Sequence, residues 1–482
     1  MLPLDDREYP TRGYFSDDTI CAIATQVGGA ISIVRVSGRL AFVSLNQLTQ
    51  SASADRSELR KMIRSRLYSV SGNPLDDALY VRFAHPNSYT GEDLVEYHLH
   101  GGAFTTSQLM DALLEMGIRQ ALPGEFSFRA VKNGKLSLFQ AQAVADLIAA
   151  SNENAVSLAL EKMSGSQIKF LEELASRLRK LATLGEVGID FSDQDVDEVS
   201  LPRLKEQVSP LIDILENLKN SFSRGLRLQE GISVAFVGLP NAGKSSFFNA
   251  LLGEDRSIVS PYAGTTRDVV CEKLSLRGKN KTVTFRLSDT AGLRNADHPV
   301  EKMGIERTLQ TAYQADIVFF IVDPNAPFSG MQDQWNKLQN FSNPRMYSPI
   351  QSKTIGILTK LDQTNPSQLL SAKNFGFSLG ISLWVATSAV TGAGIQDAIH
   401  TVIDFSEQWI HRAPGEMLLT RLDHKAAVEQ ALNHLNRSKS VMDLELFASD
   451  IRHALHSLSP LIGETLADDI LEKIFSNFCI GK

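Results

Sequence analysis

The chain has 482 residues, which at roughly 100–200 residues per domain predicts about three domains. It is 43% hydrophobic and 21% charged, enough for several cores, and with a net charge of −7 no domain-wide basic character marks a strong autonomous nucleic-acid binder, which leaves room for an RNA held by a local patch or a partner. Cys21, Cys271 and Cys479 are too widely spaced for a disulfide framework or a zinc site, and no apolar run approaches the roughly 20 residues that cross a bilayer, so a reducing, cytoplasmic setting without membrane attachment is expected.

Residues 1–18, "MLPLDDREYPTRGYFSDD", carry charges without an apolar core and are expected to be a flexible extension rather than a signal peptide. From Thr19 the texture is mixed. "TICAIAT" and "AISIVRVSG" are β-rich runs split by "QVGG", "ALYVRFAHP" and "DLVEYHLHGG" alternate as strands do, and "TTSQLMDALLEMG" has helical spacing. These predict a first domain over 19–135. From Leu136 the period moves to about 3.6, through "LFQAQAVADLIAASNENAVSLALEKMSG" and "LPRLKEQVSPLIDILENLKNSF", which predicts a helical stretch over 136–230. At Gly231 strands begin to alternate with helices, as far as Asp404, and 405–482 is helical again. The simplest reading is a helical domain interrupted by an inserted α/β domain over 231–404, which requires the guest's ends to lie close together. Two separate small helical domains are the alternative.

The insert opens with the strongest signal in the chain, "ISVAFVGLPNAGKSSFFNALLG". A buried strand runs into Gly238-x4-Gly243-Lys244-Ser245 and then a helix, the P-loop in its required context. Glycines let backbone N–H groups wrap phosphates, Lys244 offsets their charge, and the Ser245 hydroxyl is a Mg²⁺ ligand. Asn241, Ala242, Gly243, Lys244, Ser245 and Ser246 are the phosphate-binding candidates. Downstream, "TFRLSDTAG" ends a strand at Asp289, followed by Thr290, Ala291 and Gly292, where an acid can hold Mg²⁺ through water and an amide can meet a γ-phosphate. "IVFFIVD" and "TIGILT" are further apolar strands, the second followed by Thr359, Lys360, Leu361 and Asp362. Asp362 can accept from guanine N1–H and the 2-amino group together, whereas adenine presents an acceptor at N1. Lys360 would lie along the base, and Ser388–Ala389 in "VATSAVTGAGI" offers an amide to guanine O6. Thr359 stands where base-binding motifs of this type usually carry Asn, which predicts one weaker supporting hydrogen bond. Leu293 stands where many small GTPases carry a water-orienting Gln, and no intrinsic arginine finger is obvious, although Arg267 and Arg294 are near.

"GLPNAGKSS", "AGTTRD", "DTAGLR", "MGIER" and the terminal "FCIGK", together with "PNSYTGEDLVEYHLHGG" and "PGEFSFRAVKNGKLSLFQAQAVADLI", resemble the tRNA-modification GTPase MnmE (TrmE) family over nearly the whole chain after residue 18. The resemblance implies a multidomain α+β and α/β protein: a folate-binding and dimerising N-terminal domain, a helical domain, and a Ras-like P-loop GTPase domain inserted into it. It implies a potassium-activated homodimer. GTP would be met by the P-loop and by Ser260, Pro261, Tyr262, Ala263, Gly264, Thr265 and Thr266. K⁺ would be held by Asn241, Ser260, Tyr262 and Thr265 in place of an arginine finger, and Thr266 would join Ser245 on Mg²⁺. Glu301 would orient the attacking water. "SPYAGTT" departs from the family at Pro261 and Tyr262, where the family's contacts are backbone carbonyls.

On the folate side, the resemblance maps a pocket for 5-formyl- or 5,10-methylene-tetrahydrofolate onto Arg35, Glu96 and Lys135. His98 and His100 alternate on one strand face, and two ligands do not make a metal site, so a structural role is expected. An FAD-carrying MnmG-like partner in a heterotetramer, and tRNA bound with that partner, complete what the family implies. The final "CIGK" lacks the aliphatic pattern of a prenylation signal. Upstream, Leu466, Ile470, Ile474 and Phe478 form one helix face, predicted to dock on the helical domain. The resemblance places the tail near the folate pocket, with Lys482 as a contact and Cys479 as the candidate for chemistry. An inert Cys479 is the alternative. A regulatory Era-like GTPase in ribosome assembly and a folate transferase with a structural GTPase insert are the competing functions.

Overall fold

The computed structural model describes residues 13–190, 200–254, 272–278, 282–287, 309–340, 349–413, 415–463, 468–476, 478 and 480–481. They fall into two compact units: residues 1–149, 159–213 and 426–482, and residues 150–158 and 214–425.

The first unit contains a six-stranded sheet in the order β3-β4-β5-β2-β1-β6. Its strands are β1 (Ile20–Ile23), β2 (Ile31–Ser37), β3 (Ile63–Tyr68), β4 (Pro74–Phe83), β5 (Leu94–His100) and β6 (Arg119–Gln120). Strict alternation sets its faces. Val34, Val36, Val95, Tyr97 and Leu99 point to one side and pack with Leu45 and Leu48 of helix Ala41–Thr49 and Leu109 and Leu113 of helix Ala103–Glu115. The intervening residues Arg35, Glu96 and His98 are thereby sent to the opposite face, and β2–β5 pairing puts Arg35 directly across from Glu96. β3 escapes the hydrophobic pattern because it is an edge strand that alternates charged Arg64 and Arg66 with its inward residues.

A buried ionic network fastens this sheet to helix Glu125–Lys132. Glu125 is fully buried and Arg129 is 2% exposed. Arg129 reaches Glu92 at 3.0 Å, Asp18 at 3.1 Å and Glu125 at 3.4 Å, and Arg119 bridges Asp18 at 2.8 Å and Glu125 at 2.6 Å. Burial by itself raises the Asp18 carboxyl, but hydrogen bonds from Arg119 and Ser16 outweigh it and hold the group below the usual carboxylate range.

The C-terminal helix spans Asp468–Phe475 and buries Ile474 and Phe475. It does not extend to Phe478, as the sequence pattern suggests; Phe478 lies beyond the helix end and meets Phe475 at 5.0 Å. Nor does it dock on the long helical run alone. Phe475 stacks edge-on against Phe128 at 5.6 Å and joins Tyr14, Leu138 and Ala141 in one cluster. Leu466 lies outside the described residues. Gly481 lies against β1: at its φ of +91° a Cβ would come within 2.3 Å of the Ile23 carbonyl oxygen, so only glycine fits. Elsewhere in this unit, helices Ser166–Asp190 and Leu444–Ser457 cross closely at Gly185, where a Cβ would sit 3.0 Å from that of Ala448.

The second unit holds a six-stranded sheet in the order β12-β11-β10-β7-β9-β8. Its strands are β7 (Ile232–Val237), β8 (Glu272–Arg277), β9 (Thr282–Leu287), β10 (Ile317–Val322), β11 (Thr354–Leu358) and β12 (Leu383–Ala386). All pairings are parallel except the β8–β9 edge. β7, β10 and β11 are buried at every residue, because apolar clusters cover both faces of a parallel sheet. After β7 the chain goes to the edge strand β8, comes back antiparallel to it as β9 beside β7, and then places β10 on the other side of β7. The loop at the C-terminal end of β7 therefore opens at the crevice where strand order reverses, the position at which open α/β sheets bind ligands.

Candidate nucleotide and folate sites

β7 ends in the phosphate loop, and helix Lys244–Glu254 follows it. The loop is pressed against β10: a Cβ on Gly238 would lie 2.5 Å from the Ile321 carbonyl oxygen. Asn241 adopts φ +61°, an uncommon conformation for a residue with a side chain, and is exposed. Lys244 folds back over the loop and donates to the carbonyls of Gly238 at 2.9 Å and Leu239 at 2.8 Å. Burial pushes its ammonium pKa down. Ser245 follows in the first helical turn, half-buried, and Ser246 is exposed. Helix N-terminus, lysine and loop amides together form an anion cradle.

Thr359 does more than the sequence suggests. Its hydroxyl donates to the Ala242 carbonyl at 2.6 Å and approaches the Val322 carbonyl at 3.2 Å, so it ties the phosphate loop to the loop after β11. Thr359, standing where base-binding motifs of this type usually carry Asn, makes this supporting hydrogen bond with its hydroxyl. Lys360 has φ +54° and is anchored by Asp323 at 2.7 Å. Asp323, at the end of "IVFFIVD", is the residue that motif reading misses; the only signal was an acid directly after a fully apolar strand. Asp362 lies in the short 3-10 turn Leu361–Gln363 and accepts from the Ser388 hydroxyl at 2.5 Å. That hydrogen bond holds the Asp362 carboxyl below the usual carboxylate range, so it stays an acceptor. The two base loops are joined by Leu361 N–H donating to Thr387 O at 3.0 Å. The Ser388 N–H is engaged with Ala393 O at 2.9 Å, which leaves Ala389 as the amide of that pair for a base carbonyl. We expect Thr359→Val to weaken GTP binding about 3- to 10-fold, one neutral hydrogen bond with a buried carbonyl left unmet, as read by a fluorescent GTP analogue.

Ser260, Pro261, Tyr262, Ala263, Gly264, Thr265, Thr266, Asp289, Thr290, Ala291, Gly292, Glu301, Cys479 and Lys482 lie outside the described residues. Of the cysteines, Cys21 is described; it is buried and its thiol is pushed up to about 12 by that burial, which makes it inert near neutrality.

On the first unit, Arg35 Nε donates to Glu96 Oε1 at 2.7 Å, and His98 Nε2 lies 3.6 Å from Glu96 Oε2. Burial raises the Glu96 carboxyl, but His98 and Arg35 more than offset it and keep it ionised. The Arg35 guanidinium also lies 5.9 Å from the Tyr89 ring centre. Lys135 is exposed and its stem packs beside Gly91. Two of the three described folate candidates are thus paired with each other, so a ligand there meets a guanidinium–carboxylate pair rather than separate charges. His100 does not share His98's partner: its Nδ1 is 2.7 Å from Asp76 Oδ1, which raises its pKa.

A Gly-rich phosphate loop at the switch point of a mostly parallel sheet, stapled to a loop that carries an exposed aspartate, defines a P-loop GTPase. The chain belongs to the MnmE family: residues 19–135 match the family described as GTP-binding protein TrmE N-terminus, and residues 138–479 match the MnmE helical domain. Among its relatives, the tRNA modification GTPase MnmE of Protochlamydia amoebophila is 35% identical, over 98% of this chain and 100% of that one. Its namesake in Bacteroides thetaiotaomicron is 34% identical, over 97% and 100%. Among solved structures, Aquifex aeolicus Era bound to GDP·AlF4⁻ is 23% identical over 42% of this chain and 67% of its own, at a TM-score of 0.26. Full-length likeness to MnmE proteins disfavours the Era-type alternative. Among the described residues, no helix is long and apolar enough to cross a membrane.

Proposed function

We propose that this chain hydrolyses GTP to drive a tRNA modification. With an FAD-carrying MnmG-like partner, it adds a (carboxymethyl)aminomethyl group to C5 of the wobble uridine, U34, of certain tRNAs. The observation that carries the nucleotide half is the hydrogen-bonded junction Thr359–Ala242, which joins phosphate and base loops into one site. The names of full-length relatives support the tRNA half. On this reading the domains run 19–135, 136–230 with 405–482, and an inserted G domain at 231–404.

Within the site, the loop amides and Lys244 bind the phosphates, and Asp362 and Ala389 select guanine. Ser245, with Thr266, would hold Mg²⁺, which supplies charge on the phosphates. The exposed, left-handed Asn241 suits a second cation ligand, and K⁺ held there with Ser260, Tyr262 and Thr265 would supply positive charge in the place of an arginine finger. Glu301 would orient water. A tetrahydrofolate one-carbon donor would meet Arg35, Glu96, Lys135 and Lys482, with Cys479 close to the reacting carbon; the paired Arg35–Glu96 face fits a polar pterin edge and keeps Glu96 ionised for it. The active form would be a homodimer in a heterotetramer with its partner, in the cytoplasm.

Turnover of GTP should be at least about 10-fold faster in K⁺ than in Na⁺ at equal ionic strength. Equal rates would remove the potassium mechanism and leave the GTPase intact. In a deletion strain, 5-substituted wobble uridines should disappear from hydrolysed tRNA; an unchanged nucleoside profile would end the modification reading.

A further inference from the structure

The helical part of the first unit carries a side-chain cluster that GTP hydrolysis does not use. His434 sits on helix Leu422–Ser440, while Asp450 and His453 sit one turn apart on helix Leu444–Ser457. One potential ligand atom from each lies within 4.8 Å of the others. The His434 and His453 rings are stacked, with centroids 5.3 Å and planes 20° apart, and His434 Nδ1 is 3.7 Å from Asp450 Oδ1. Asp450 is buried, His434 is half-buried and His453 is exposed, so a deep carboxylate lies under two imidazoles that open to solvent.

Arg437 explains why Asp450 tolerates burial. Its Nε donates to both carboxylate oxygens, at 2.7 and 2.9 Å, and its terminal nitrogen donates to Oδ1 as well. Arg437 does not explain the imidazole pair. Nδ1 of His453 is 2.7 Å from the Ser449 carbonyl. A carbonyl only accepts, so the neutral ring carries its hydrogen on Nδ1 and keeps its lone pair on Nε2, the backbone-oriented tautomer common among metal-ligating histidines.

We propose that His434, Asp450 and His453 bind a first-row divalent transition-metal ion, such as zinc, that clips the hairpin Leu422–Ser457. Two imidazoles and one carboxylate are a donor set for zinc-like ions and a poor one for Mg²⁺ or Ca²⁺. A tetrahedral zinc ion holds its ligands roughly 3.3 Å apart, so the three groups need only a small closure, with water in the fourth position. Arg437 is the built-in competitor. Its side chain is 61% exposed and can swing away into water as a metal takes over Asp450.

The test uses the full chain, loaded with Mg²⁺ and GDP, and Zn²⁺ alone as the added probe, followed by calorimetry. Co²⁺ absorption reports coordination geometry. One site is expected, with the intense visible bands of tetrahedral cobalt. His453→Ala, at an exposed position that leaves the fold intact, and His434→Ala should each weaken Zn²⁺ binding at least about 10-fold and remove those bands. Arg437→Gln should tighten it, because the competing cation is gone, and should enlarge the rise in melting temperature that Zn²⁺ produces. Absence of binding, affinity unchanged in both histidine variants, or an Arg437→Gln chain that binds Zn²⁺ no better than the parent would each overturn the proposal.

Discussion

Replacing Asp362 by Asn will lower the affinity for GTP at least about 100-fold and transfer preference to xanthosine triphosphate. Guanine presents two donors on one edge, N1–H and the 2-amino group. A carboxylate accepts from both; a carboxamide accepts one and turns its own N–H toward the other. Xanthine has a carbonyl at C2, so it offers the carboxamide a donor and an acceptor side by side. The surrounding geometry should survive the change. Ser388 donates to Asp362 at 2.5 Å, and an amide oxygen accepts the same bond. The loop remains held through Leu361 to Thr387 and through Thr359 to Ala242. Competition against a fluorescent nucleotide measures the shift. An Asp362→Asn chain with unchanged GTP affinity would show that Asp362 does not contact the base. If GTP binding falls without a gain for the xanthine nucleotide, the loop itself has been disturbed.

Arg129→Ala should destabilise the first unit by about 3–5 kcal/mol, the usual cost of removing one partner from a buried ion group. Arg129 is 2% exposed and touches Glu92, Asp18 and Glu125, the last of them fully buried. Without it, Arg119 is the one cation left in ion-pair contact with Asp18 and Glu125 among the described residues, and Glu92 keeps only the Ser37 hydroxyl at 2.7 Å as a side-chain partner among them. Hydrogen exchange along helix Glu125–Lys132 in increasing urea measures the loss locally, which matters because a chain of several units has no single unfolding free energy. GTP affinity serves as the control that the second unit remains folded. Protection unchanged by the substitution would mean that the network is not what fastens this helix to the sheet.

Much of the second unit is legible locally. β7, β10 and β11 are apolar at nearly every position, which only a doubly covered parallel sheet demands, and the phosphate loop is a contiguous motif. Asp362 follows from what guanine needs. The alternation in β2 and β5 also tells which residues share a face with Arg35 and which with Glu96. It cannot tell that the two meet, because their contact depends on strand register across 61 residues. The C-terminal helix shows the same limit. Its period is visible, but the pattern points to Phe478 as part of the buried stripe, whereas the helix stops at Phe475 and buries that ring against Phe128.

The class of protein was readable from the amino-acid order alone, since binding phosphates and guanine requires particular groups at short, fixed spacings along the chain. Folding in three dimensions was needed to show that Thr359 supports the phosphate loop from 117 residues away, that Glu125 is buried among two arginines, and that Glu96 is held ionised by Arg35 and His98. The histidines and aspartate of the C-terminal hairpin belong to the same set. The physical reason is common to all of them. A hydrogen bond or ion pair between distant segments is set by where packing brings the backbones, and a polar side chain carries no periodic mark of the partner it will find.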